Sequence, residues 1–115
     1  MIIKKYIKMP LLRANVLVIF TDNMTEVVNK YSYTEDTVTY EAVTIDFSGN
    51  IVIVYNLTPS HNVIAHEVTH CVHNILSARD IHPVNGNEEI YAYTTGYITE
   101  NIYKIISKSD HINIE

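Results

Sequence analysis

Residues Ile51-Val52-Ile53-Val54-Tyr55-Asn56-Leu57-Thr58-Pro59-Ser60, continuing through His61-Asn62-Val63-Ile64-Ala65-His66-Glu67-Val68-Thr69-His70, decide the fold. The first five form an apolar, β-rich run of strand length. The period then changes. Thr58-Pro59 offers a hydroxyl N-cap followed by a proline suited to the first helical position. From there Val63, Ile64, Val68, Val72, Ile75 and Leu76 recur at helical spacing to about Ala78.

Upstream the chain reads as strands. Ile2–Ile7 is one, and Asn15–Phe20, β-branched and continuous, has the pattern of a buried strand. A short helix over Thr25–Tyr31 opens after Asp22 or Asn23. Thr37–Phe47 and Ile51–Tyr55 flank Ser48-Gly49-Asn50, which reads as a three-residue hairpin turn with Gly49 at positive φ. Downstream, Pro83 and Gly86 mark a loop, and Asn85 or Asn87 caps a second long helix. Glu88 and Glu89 fall in its first turn, where the helix dipole favours acids. Its apolar series Ile90, Tyr93, Tyr97, Ile98, Ile102 and Ile105 runs to about Ser107, and residues 108–115 form a polar tail expected to fray. The expected fold is α+β in one domain over residues 1–115: a small antiparallel or mixed sheet followed by two packed helices.

Composition narrows the function. The 115 residues carry a formal net charge of -5, which argues against nucleic acid or an anionic membrane as the main partner. No apolar run reaches the length of a membrane span, and the lysine-bearing start Met1–Pro10 lacks the pattern of a signal peptide. Cys71 is the single cysteine, so no disulfide forms within the chain, and a reducing, cytoplasmic setting is expected.

His66-Glu67-Val68-Thr69-His70 carries the chemistry. Residues four apart stack on one helix face, so both imidazoles can turn toward one ion. Glu67 lies about 100° round the helix, near enough to act on a water beside that ion without ligating it. Two histidines leave two positions of a tetrahedral Zn2+ open, and a catalytic site fills one from the protein. The longer HExxHxxGxxH pattern fails, because His73 and Leu76 stand where Gly and the third His belong. His73 lies about 10.5 Å along the axis from His66, too far for bonds of about 2 Å to converge. His61, His82 and His111 have no helical register with the pair. Cys71, about 100° off the ligand face, reads as a buried small apolar residue. Glu88 and Glu89 remain as candidates for the third ligand. Glu89 is preferred because Ala92 and Gly96 share its face and would let two helix backbones approach.

His66–His70 followed by Glu89-Ile90-Tyr91-Ala92-Tyr93 resembles the HExxH…ExxAY arrangement of small phage-encoded zinc metallopeptidases of the gluzincin type, as does the strand-turn-strand Ile45–Val54. The resemblance covers roughly residues 40–105. It implies a minimal zincin-like fold, His66, His70 and Glu89 as zinc ligands, and Glu67 as catalytic base. It also implies that Ile51–Tyr55 forms the rim along which an extended peptide substrate lies. The chain departs from the gluzincin pattern where an Asp often follows the ligand Glu; Tyr93 and Thr94 stand there. Tyr91, Tyr93 and Tyr97 are candidates for a second oxyanion donor, against a core role. Because the chain is too small to build a two-lobed cleft, an enzyme of this size needs either a flexible peptide laid on an edge strand or a protein partner that completes the site. The rival readings are a repressor-cleaving regulatory metallopeptidase and a non-catalytic zinc-binding protein of a phage particle or partner complex.

Overall fold

The computed structural model describes residues 1–32, 40–47 and 50–115. Its elements in chain order are β1 (Ile2–Met9), a single 3-10 turn at Pro10–Leu12, β2 (Ala14–Thr21), α1 (Met24–Tyr31), β3 (Ala42–Phe47), β4 (Asn50–Tyr55), α2 (His61–Ser77) and α3 (Glu88–Ser107). The fold is α+β, a four-stranded sheet in the order β1-β2-β4-β3 with helices on both faces. Ser48 and Gly49, and with them the expected left-handed glycine, lie outside the described residues, as does the Thr37–Thr39 part of the expected strand. Asn50 already belongs to β4, opposite Phe47.

The sheet is mixed. β1 pairs antiparallel with β2, β2 pairs parallel with β4, and β4 pairs antiparallel with β3. β4 is therefore an interior strand, and all of Ile51–Tyr55 is buried, as a run covered on both faces must be. Alternation divides the side chains between two cores. Leu17, Ile19, Val52 and Val54 meet Val27 and Val28 of α1. Val16, Val18, Phe20, Ile51, Ile53 and Tyr55 meet α2 and α3 on the opposite face. Phe20 and Tyr55 stack there with ring centroids 5.3 Å apart.

The helix starts follow local chemistry. The Asn23 side chain accepts from the Glu26 amide and opens α1. For α2 the cap is Ser60, whose hydroxyl accepts from the Val63 amide, rather than Thr58. Pro59 is buried ahead of the cap instead of standing in the first turn. Asn87 precedes α3, but its amide side chain donates to the His82 carbonyl and makes no capping bond; Glu88 in the first turn points its Oε2 back to accept from Gly86 N at 2.9 Å in the preceding loop.

The tail does not fray. Ile112 is buried in the larger core, and the Asn113 and Glu115 amides donate to the carbonyls of Leu57 and Pro59. Two apolar side chains in an otherwise polar tail, Ile112 and the partly buried Ile114, give it a place to dock, and it braces the segment that leads into α2. Among the described residues no helix is long and apolar enough to cross a membrane.

Candidate metal centre

α2 crosses the sheet above β4 and β3, with Ile64, Val68, Cys71, Val72 and Ile75 pressed onto the strands. His66 and His70 are left on the outward side, and Glu67 lies between them and the β3 edge. The two imidazoles meet edge to face with Nε2 atoms 3.2 Å apart. Two nitrogens bound to one tetrahedral zinc at the usual bond length stand about 3.3 Å apart. The pair therefore already has the spacing of two ligands to one ion, and it is open to solvent, with the His66 side chain 64% exposed.

Glu67 is buried, 7% exposed, yet its two oxygens have different surroundings. Oε1 accepts from Thr44 Oγ1 at 3.0 Å, while Oε2 lies 3.9 Å from His66 Nε2. Thr44 also lies 3.1 Å from the Glu67 carbonyl, so its one proton serves two acceptors on the same residue. Sequence reasoning missed Thr44. It is 23 positions from Glu67, and only the placement of β3 beside α2 brings them together. A groove of about 350 Å³ opens beside this group, lined by Tyr40, Glu41, Ala42, Asn62, Val63, His66 and Glu67.

Beneath α2, the Tyr55 hydroxyl donates to the Ile64 carbonyl at 3.0 Å. Burial, reinforced by the charge of Glu67, pushes this phenol well above its ordinary range and keeps it a neutral donor. Burial also pushes the Cys71 thiol up to about 12. Cys71 is fully enclosed in the apolar core, away from the exposed histidines, which matches its reading as a small apolar residue.

The third ligand is a different matter. α2 and α3 run antiparallel: His61 stacks on Tyr103, and the Tyr91 hydroxyl reaches the Ile81 carbonyl beyond the end of α2. Measured from that His61–Tyr103 contact, Glu89 is about 21 Å along α3, whereas His70 is only about 13.5 Å along α2. Helical side chains lean toward their own N-terminus, which widens the gap. Glu89 is exposed in the first turn, and among the described residues no group of three or more His, Cys, Asp or Glu could hold a metal ion. The structure thus gathers His66, Glu67 and His70 but leaves Glu89 apart. The packing that favoured Glu89 is not formed: Ala92 and Gly96 are exposed, and a Cβ on Gly96 would meet nothing within 4 Å. Glu88 is turned back to the Gly86 amide of the preceding loop.

The expected rim also moves. β4 is hydrogen-bonded on both sides, so Ile51–Tyr55 offers no edge to a peptide; the strand at the sheet edge beside the histidines is β3. Of the tyrosines proposed as oxyanion donors, the Tyr91 hydroxyl is turned to the Ile81 carbonyl and that of Tyr97 to the Lys8 carbonyl, the latter on the far side of α3. Tyr93 lines an apolar hollow with Met9, Leu11 and Leu12. His73 lies near Ser77 Oγ, His82 near Asp80, and His61 against Tyr103, none of them in the pair's group. No family model matches the sequence, and no curated protein or solved structure matches it either.

Proposed function

We propose that the protein is a zinc-dependent metallopeptidase-like hydrolase that cleaves a peptide bond in an extended segment. The observation that carries the reading is the 3.2 Å spacing of the His66 and His70 Nε2 atoms, with a carboxylate oxygen of Glu67 3.9 Å from one of them. His66 and His70 would hold the metal; Glu89, the third ligand that the family resemblance implies, would join them only with a shift of the start of α3 toward the pair. When bound, zinc in such a site supplies Lewis acidity and lowers the pKa of a water toward about 7.

The remaining work falls to the chain itself. Glu67 takes the proton of the attacking water on Oε2 and passes it to the leaving amine. Thr44, by holding Oε1, keeps the carboxylate turned so that Oε2 faces the histidines. The substrate backbone lies along β3, where strand addition orients the scissile carbonyl toward His66 and Glu67. The walls of the groove, Tyr40 to Ala42 on one side and Asn62 and Val63 on the other, exclude part of the surrounding water.

Wild-type protein and Glu67→Gln, both loaded with zinc, are tested against a library of unstructured peptides read by mass spectrometry. The variant is expected to retain zinc and to lose at least about 100-fold in cleavage rate. Cleavage that survives the substitution at the wild-type rate would refute the enzymatic reading and leave a metal-binding or partner-binding protein.

A further inference from the structure

The two edges of the sheet differ in chemistry. β1 carries Lys4, Lys5 and Lys8, and lysines on an edge strand discourage the addition of another strand. β3, Ala42–Phe47, has no Lys, Arg or Pro. Among the described residues no strand pairs with its outer side. One edge is guarded, and among the described residues the other is open.

Charge is divided the same way. No Lys or Arg occurs between Lys30 and Arg79, a span that includes all of β3, β4 and α2. The cations of β1 and of the end of α3 (Lys5, Lys104 and Lys108) share a groove on the opposite side of the molecule. On the β3 side Glu41 lines the same groove as His66 and Glu67, with the 55% exposed Tyr40 beside it. Asp46 shares the face of Thr44 by strand alternation. Glu67, nine-tenths buried, turns its second oxygen into that groove. A carboxylate next to an exposed aromatic ring suits a guanidinium or ammonium group, the one pairing with the charge and the other with the face of the cation.

We propose that the open edge of β3 takes an extended peptide segment bearing Lys or Arg, with Glu41 and Tyr40 selecting the basic side chain. The inference rests on the metallopeptidase reading for the peptide's presence at this edge and adds its chemical class. It is tested by binding, so that cleavage is not needed. Glu67→Gln protein, with and without zinc, is titrated into two fluorescent peptides of matched length, one Lys-rich and one Glu-rich, and read by anisotropy. The Lys-rich peptide is expected to bind at least about tenfold more tightly at low salt, with the preference shrinking as salt rises. Glu41→Lys, an exposed substitution, should abolish or reverse the preference. N-methylation of alternate backbone amides should weaken binding of the Lys-rich peptide. Equal binding of both peptides, or a preference that ignores Glu41→Lys, overturns the proposal. So does sedimentation showing that the β3 edge is filled by a second copy of the chain. If zinc loads on the histidines but neither peptide binds, the basic-peptide inference falls and the metal reading stands. If the Lys-rich peptide binds as expected to protein that never takes up zinc, the metallopeptidase reading falls and the docking edge stands.

Discussion

At the scale of single residues, the site depends on how one carboxylate is held. Glu67 is buried with one oxygen tied to Thr44 and the other turned to the histidines, so the two oxygens have separate duties. Thr44→Val removes the hydroxyl that donates to Oε1. We expect a stability loss of about 1–3 kcal/mol in chemical denaturation, because a buried acceptor is left without its donor. Under the proposed hydrolase function, turnover should fall about tenfold, in kcat more than in KM, as Glu67 loses its orientation; unchanged kcat would show that the hydroxyl is dispensable. Glu89→Ala reports on the third ligand. A drop in zinc affinity would show that α3 shifts to bring this carboxylate in, and unchanged affinity would show that it stays apart. His66, Glu67 and His70 could be read from sequence because their geometry is local, fixed by the turn of one helix. Thr44 could not, because its partner is set by strand order. Glu89 was inferred from the small residues Ala92 and Gly96 on its helix face and from the family resemblance; in the structure those two are exposed, and the start of α3 stands apart from the pair.

At the scale of elements, the strand runs and helical periods were legible, while the ends were decided by competition among neighbouring capping residues. The sequence reading places the start of α2 at Thr58-Pro59, whereas the cap is Ser60, whose hydroxyl accepts from the Val63 amide, with Pro59 buried just ahead of it. Ser60→Ala is therefore expected to cost about 1 kcal/mol in thermal or urea unfolding, and Thr58→Ala almost nothing; the reverse order would return the cap to Thr58. The tail was misjudged because its composition is polar overall, and two residues, Ile112 and Ile114, outweigh that average by packing on the core. Ile112→Ala should destabilise by about 2–3 kcal/mol, measured by the same unfolding curves. A neutral result would mean that the tail's docking contributes little.

At the scale of the whole molecule, the mixed sheet joins two strand pairs through the parallel β2–β4 contact and sends α1 to one face and α2 and α3 to the other. The α+β class was readable in the change of period after Tyr55, but the strand order was not. Each strand's own pattern is compatible with several neighbours, and only the α1 crossover places β4 inside and β3 at the edge. That arrangement puts Tyr55 and Cys71 in the shared core as neutral groups, which makes stability depend on alkaline pH. Both groups are raised in the folded state, so their contribution is complete below their ordinary values of 10.0 and 9.0. It is lost as pH climbs above those values, where the unfolded chain ionises more readily than the folded one. Unfolding midpoints should therefore fall from about pH 9 upward, and Tyr55→Phe should flatten that fall; a pH-independent midpoint would argue that neither group is enclosed. The central claim is that the α2 histidine pair binds zinc. It is tested most directly by metal content of the intact chain purified without chelator, beside His66→Ala, His70→Ala and Glu67→Gln. The account predicts equimolar zinc in the wild type and in Glu67→Gln, with loss in both histidine variants. A folded wild type that takes up no added zinc, or histidine variants that keep it, would contradict the claim.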